Sequence, residues 1–117
     1  MKGVLEDKSI NFAKRIVKLY KYLTDNKKEF VMSKQLLRSG TSIGANVAEA
    51  QYAQSKADFG AKMHIALKEA SETRYWLRLL NETEYLTDSE SQSIVSDCLE
   101  LISMLVSTCK TTLPRES

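Results

Sequence analysis

Glu69, Glu72 and Trp76, within the stretch "ALKEASETRYW", are the residues whose types and spacing come closest to chemistry. Separations of three and four place them on one side of a helix. Ile65 and Leu79 extend the same stripe. Two carboxylates beside a tryptophan on a core-forming helix admit four readings. They could form a buried polar network, with Glu69 or Glu72 pairing with Arg38 of another helix and with Ser42 and Asn46 close by, because buried acids need such partners. Ile65, Trp76 and Leu79 could instead pack against a second subunit, alone or together with that network. A carboxylate metal centre of the ferritin-like kind needs Glu-x-x-His pairs, and no histidine follows either glutamate at that spacing. General acid–base catalysis would need a pocket and a raised pKa. The last two readings find the least support, so no enzyme, metal or cofactor is expected.

The remaining reactive side chains point the same way. His64, the single histidine, falls on the opposite side of the helix from the two glutamates, beside Lys68, Ser71, Tyr75 and Arg78, on a solvated or interface face. Cys98 and Cys109 lie eleven residues apart in one expected helix. At about 1.5 Å per residue they are about 16 Å apart, too far to bridge. Neither has the electropositive surroundings of a nucleophile, so both read as buried free thiols of a cytoplasmic protein.

Four amphipathic helices must position these groups. The first is expected from about Asp7 to Asp25, with Ile10, Ala13, Ile16, Val17, Tyr20 and Leu23 on its apolar face. Lys8, Lys14, Arg15, Lys18 and Lys21 fall opposite. "DNKKEF" reads as a loop. Ser33 is the expected cap of a second helix running to about Ala53. Its apolar side holds Leu36, Leu37, Gly40, Ile43, Gly44, Val47 and Ala48. Ser55 with Asp58 resembles a capping box opening a third helix to about Tyr85. Phe59, Met63, Ala66, Ala70, Thr73, Leu77 and Leu80 form a heptad stripe along it. Thr87 with Glu90 resembles another box, opening a fourth helix to about Leu113, where Pro114 ends it. Ile94, Cys98, Leu101 and Leu105 make one stripe there, and Val95, Leu99, Ile102 and Val106 its neighbour. Short connections between such helices predict an all-α, up-down antiparallel four-helix bundle, a single domain spanning 1–117.

Bulk composition agrees. A chain of 117 residues buries about two-thirds of its unfolded surface and needs no disulfide or metal to fold. One proline and four glycines are too few for the turns of an all-β protein. The opening "MKGVLEDKSI" lacks the apolar core of a signal peptide, and no apolar run approaches the about 18 residues of a bilayer span. Residues 1–38 carry ten Lys/Arg against four Asp/Glu, a balance of +6, and residues 39–117 seven against eleven, a balance of −4. The asymmetry suits an anionic partner, and it equally suits two halves of one fold attracting each other. The basic face of the first helix, taken alone, reads first as a solvated face, and it could instead grip phosphates of RNA or DNA without regard to sequence. Aromatic residues for stacking are thin there, only Tyr20 and Tyr22.

"LLRSGTSIGANVAEA" sets Gly40 and Gly44 one helical turn apart. A phosphate-binding P-loop needs Gly-x-x-x-x-Gly-Lys-Ser/Thr after a strand, whereas Ala45 and Asn46 follow Gly44 here. Glycine inside a helix costs about 1 kcal/mol relative to alanine, which a close helix–helix approach offsets. Gln35, Leu36, Arg38, Ser39, Ser42, Ile43, Asn46, Val47, Ala48 and Glu49, continued by Ala66, Glu69 and Glu72, resemble the signature of the 23S rRNA-intervening-sequence protein family. The resemblance spans about residues 7–110. It implies a bacterial source, a left-handed up-down bundle assembling into a homopentamer, and no established catalytic activity. Related bundles, the accessory variability-determinant proteins of diversity-generating retroelements, bind a reverse transcriptase and nucleic acid. An RNA-binding adaptor is thus the leading expectation, and a scaffold for a partner protein the alternative.

Overall fold

The computed structural model describes residues 3–112. They form four helices: α1 (Val4–Asp25), α2 (Met32–Ala50), α3 (Lys56–Glu82) and α4 (Asp88–Thr112). Among the described residues there is no strand. Each helix packs on its chain neighbours in an up-down bundle, 51 Å long and 24 Å across. The seam where α4 closes on α1 is the thinnest of the four. The helix end assigned to Leu113 and Pro114 lies outside the described residues.

Local chemistry sets most boundaries. The Ser55 hydroxyl accepts the Asp58 N–H at 3.0 Å, while the Asp58 carboxylate accepts the Gln54 N–H at 3.1 Å. At α4, Thr87 and Glu90 complete a reciprocal box: Glu90 accepts the Thr87 N–H at 2.8 Å and the Thr87 hydroxyl accepts the Glu90 N–H at 3.2 Å. α3 stops at Glu82 rather than Tyr85 because Glu84 turns left-handed at φ 72°. The N–H groups of Tyr85 and Leu86 then fold back to the Leu80 carbonyl, and Leu86 enters the core. α2 ends at Ala50, short of Ala53, in overlapping three-residue turns.

The cap of α2 differs from the expectation. Ser33 lies inside the helix, and its hydroxyl donates to the Glu29 carbonyl at 2.7 Å. The capping group is the Glu29 carboxylate, which accepts the N–H groups of Val31, Met32 and Ser33 at 3.1, 3.0 and 2.7 Å. It thereby satisfies donors the helix cannot pair itself and meets the positive end of the helix dipole. Burial pushes the Glu29 carboxyl up, and the bonds from Ser33, Met32 and Val31 together outweigh it, so its pKa falls below the ordinary 4.5. A carboxylate depressed in the folded state contributes stability above its unfolded pKa, and loses it as pH falls through the folded value. Glu29→Ala should therefore cost about 1–3 kcal/mol at neutral pH by removing the partner of the buried Ser33 N–H and of two part-buried N–H groups. Urea unfolding should show the gap to wild type narrowing below about pH 4.5. A gap that stays constant down to pH 3 would show that the charge plays no part.

The core takes Met63, Ala66, Ala70, Thr73, Leu77 and Leu80 from α3 as the heptad predicts, with Gly60 buried and Phe59 only half so. α4 buries Ile94, Cys98, Leu101 and Leu105, and its second stripe is half-buried, apart from the more open Leu99. α1 is rotated from expectation. It buries Ser9, Phe12, Ile16 and Leu23, while Ile10 is 51% exposed. Ile16 and Leu23 lie between two apolar stripes, one of Ile10, Ala13, Val17 and Tyr20, the other of Leu5, Phe12 and Leu19. The aromatic bulk of Phe12 turns the helix toward the second, since larger side chains contribute more on burial.

Candidate functional site

The most elaborate polar cluster joins α2 to α3. Arg38 Nη1 meets Glu69 Oε2 at 3.1 Å, and Arg38 Nη2 bonds Glu72 Oε2. The Trp76 indole N–H donates to that same Glu72 oxygen at 2.9 Å. Arg38 also reaches Gln35 Oε1 at 3.4 Å. This cluster is not buried: the side chains of Arg38, Glu69 and Glu72 keep 49%, 18% and 35% of their exposure. Asn46 stands apart, donating to the Ser42 carbonyl at 2.8 Å, one turn back on its own helix. The difference is geometric. Arg38 leaves α2 near the outer edge, so its long side chain spans to α3 along the surface. The buried polar link lies one residue on, where the Thr73 hydroxyl donates to Ser39 Oγ at 2.9 Å, and both residues are fully buried. Its signal in the sequence is a hydroxyl within the apolar stripe of each helix.

The electrostatics of the cluster run against acid–base work. The Trp76 N–H and then Arg38 hold the Glu72 carboxyl below its ordinary range, and the bond to Glu72 raises Arg38 in turn. A proton-transferring acid needs the opposite shift. Among the described residues no group of three or more His, Cys, Asp or Glu is placed to hold a metal ion. The His64 ring, on the outer face of α3, has Nδ1 at 3.2 Å from the Gly60 carbonyl. Both cysteines are buried. Desolvation pushes the Cys98 thiol up to about 12 and raises Cys109 as well, so both stay protonated and inert.

The five basic residues of α1 divide. Lys8 pairs with Glu100 at 3.1 Å. Arg15 pairs with Asp97 at 2.6 Å and donates to the Ser93 carbonyl and hydroxyl at 3.3 and 2.9 Å. These two strap α1 to α4 along the thinnest seam. Lys14, Lys18 and Lys21 are exposed and make no ion pair among the described residues. Lys27, Lys28 and Lys34 continue this positive surface over the α1–α2 corner, all exposed. Of the acids near that corner, Glu29 is occupied by its backbone bonds, Asp25 is exposed at the end of α1, and Glu90 of α4 lies near Lys27.

Ile65, Trp76 and Leu79 lie along α3, at and beyond its α2 flank. Ile65 is 44% exposed, Leu79 is half-buried, and Trp76 packs against the core. Tyr75, 57% exposed, sits edge-on to Trp76 with ring centroids 5.1 Å apart. Gly40 and Gly44 both face α1. A Cβ on Gly40 would lie 2.7 Å from Ile16 Cγ1, whereas one on Gly44 would meet the Ser9 carbonyl oxygen at 3.4 Å.

Four helices joined by short turns, with clusters of charge on the surface, define an all-α four-helix bundle. The chain belongs to the 23S rRNA-intervening sequence protein family, whose model matches residues 4–107. It is similar to a crystal structure of a protein with unknown function from the S23 ribosomal protein family of Bacteroides thetaiotaomicron. The identity is 60% and the TM-score 0.90, covering 92% of this chain and 99% of that one. No curated protein matches. No helix among the described residues is long and apolar enough to cross a membrane.

Proposed function

We propose that this protein is a non-enzymatic, cytoplasmic adaptor that binds RNA or DNA phosphates through the exposed face of α1. The observation that carries this reading is the row Lys14, Lys18 and Lys21, three ammonium groups on one helix face with no acidic partner among the described residues. Lys8 and Arg15 leave the expected face because their charge is used within the fold. The family's description, a protein of the 23S rRNA intervening sequence, agrees with a role beside RNA. A salt titration tests it. Each neutralised phosphate contributes about 0.7–0.9 to the slope of log K against log salt, so three contacts should cost about 20- to 40-fold in affinity between about 50 and 200 mM salt. Absence of binding to structured RNA at about 50 mM salt would remove the reading.

The proposal includes a homopentamer. Ile65, Tyr75 and Leu79 offer an apolar edge on α3, and five copies would gather about 15 free lysines on one particle and add avidity. Light scattering should then give five times the 13.2 kDa chain, about 66 kDa, and Leu79→Asp should shift it toward the monomer. Trp76→Ala is the poorer probe, because Trp76 also packs on the core and holds Glu72. A 13 kDa particle at micromolar concentration would end the pentamer. The same edge is what supports the second reading, a scaffold for a partner protein.

A further inference from the structure

The connection between α1 and α2 holds two of the most exposed large apolar residues of the bundle in a fixed shape. Phe30 and Val31 are 60% and 75% exposed, yet the residues around them are tightly bonded. Lys28 takes φ 55°, a left-handed turn rare for a side chain of that size. The Glu29 N–H then reaches the Leu23 carbonyl at 3.0 Å. The Glu29 carboxylate, only 7% exposed, folds under the corner onto the first N–H groups of α2. Phe30 is thus presented outward between a buried anchor and the start of a helix. A fold that only needed to connect two helices would gain by placing polar residues there.

The chemistry around this tip selects its partner. Lys27, Lys28 and Lys34, all exposed, lie within four residues of Phe30, and Lys21 leads to them along α1. Four lysines, Lys21, Lys27, Lys28 and Lys34, stand against three carboxylates: Glu29, spent on backbone donors, the exposed Asp25 and Glu90 of α4 near Lys27, so the patch keeps a net positive charge around a flat aromatic ring. Glu29 also closes the α2 N-terminus to phosphate, which leaves the lysines as the anion-binding groups. An aromatic face bordered by cations fits an unpaired nucleotide, with its base stacked on the ring and its phosphates on the lysines. A paired duplex keeps its bases within the stack and offers the ring nothing comparable.

We infer that the Phe30 tip is a stacking platform for an unpaired nucleotide base, making the protein selective for single-stranded segments or loops of RNA. This rests on the nucleic-acid reading above and adds to it a ligand class. Because the backbone on either side of Phe30 is bonded before binding, only the side chain itself has to be ordered in the contact.

The test uses the full chain, a 20-nucleotide oligouridylate and a fully paired RNA duplex of equal length, in fluorescence anisotropy at about 50 mM salt. Phe30→Ala should weaken oligouridylate binding by about 5- to 150-fold and leave duplex binding and the salt slope unchanged. Phe30→Trp should restore the lost affinity. A change of less than about twofold for oligouridylate would overturn the platform, while the nucleic-acid reading would stand if both RNAs still bind with a steep salt slope. Equal weakening for both RNAs would also overturn it, because stacking discriminates between them. Loss of oligomer size in Phe30→Ala would reassign the tip to a contact between copies. Phe30-dependent binding to phosphatidylserine vesicles, with no discrimination between the RNAs, would reassign it to a lipid surface. Absence of wild-type binding to either RNA would remove both readings together.

Discussion

Gly40→Ala should destabilise the bundle by about 1–3 kcal/mol, the usual cost of forcing extra volume into a packed core. Gly44→Ala, one turn away, should be neutral or stabilising by up to about 1 kcal/mol. The added Cβ at position 40 would sit 2.7, 2.8 and 3.0 Å from three atoms of Ile16. Ile16 is fully buried and β-branched, so it has no free rotamer to swing into. The clash must therefore move α1 away from α2 or strain both chains. At position 44 the nearest atoms stand at 3.4 and 3.5 Å, ordinary van der Waals contact. Alanine there keeps the packing and recovers the helix propensity that glycine forfeits. Leucine at position 44 is different, since its longer side chain would run into the Ser9 backbone and should cost a comparable 1–3 kcal/mol, roughly. Urea unfolding of the three variants measures all of this. Equal effects of the two alanine substitutions would show that the α1–α2 contact is not tighter at Gly40.

Reversing Lys14, Lys18 and Lys21 together to glutamate should abolish RNA binding while leaving helicity and oligomer size intact. The expected loss exceeds removal of three contacts, because six units of charge change on a face that must meet phosphates. Each position is exposed, so none contributes to the core. Lys8 and Arg15 are deliberately spared: reversing them would set them against Glu100 and Asp97 and loosen the α1–α4 seam, confusing binding with folding. Equal binding by wild type and the triple variant would move the contact elsewhere. The outer face of α3 would then be a weak alternative, because Arg78 already pairs with Glu82 at 2.6 Å, leaving Lys68 and His64. The corner lysines Lys27, Lys28 and Lys34 would be the stronger one.

Much of the architecture follows from local order along the chain. Helical periodicity marks the four elements, and Ser55 with Asp58, or Thr87 with Glu90, marks two starts, because a capping box closes within three or four residues. The α3 heptad places its core positions for the same reason: the stripe repeats along one helix and needs no partner to be recognised. The signature shared by α2 and α3 points to the family before any coordinate is known.

Tertiary structure decided what helical periodicity does not encode, above all the contacts between residues far apart in sequence. Glu29 in place of Ser33 as the α2 cap required the chain to turn left-handed at Lys28, which helix periodicity does not encode. The rotation of α1 was set by competition between two apolar stripes of similar width, resolved only when the core had to admit Phe12. The division of the basic face is the clearest case. Lys8 and Arg15 look no different in sequence from Lys14, Lys18 and Lys21. Their partners Glu100 and Asp97 stand 92 and 82 positions away, and only the register of α4 against α1 brings those charges together. A charge is free or spent according to what lies across the seam, and helical pattern, being local, carries no information about that.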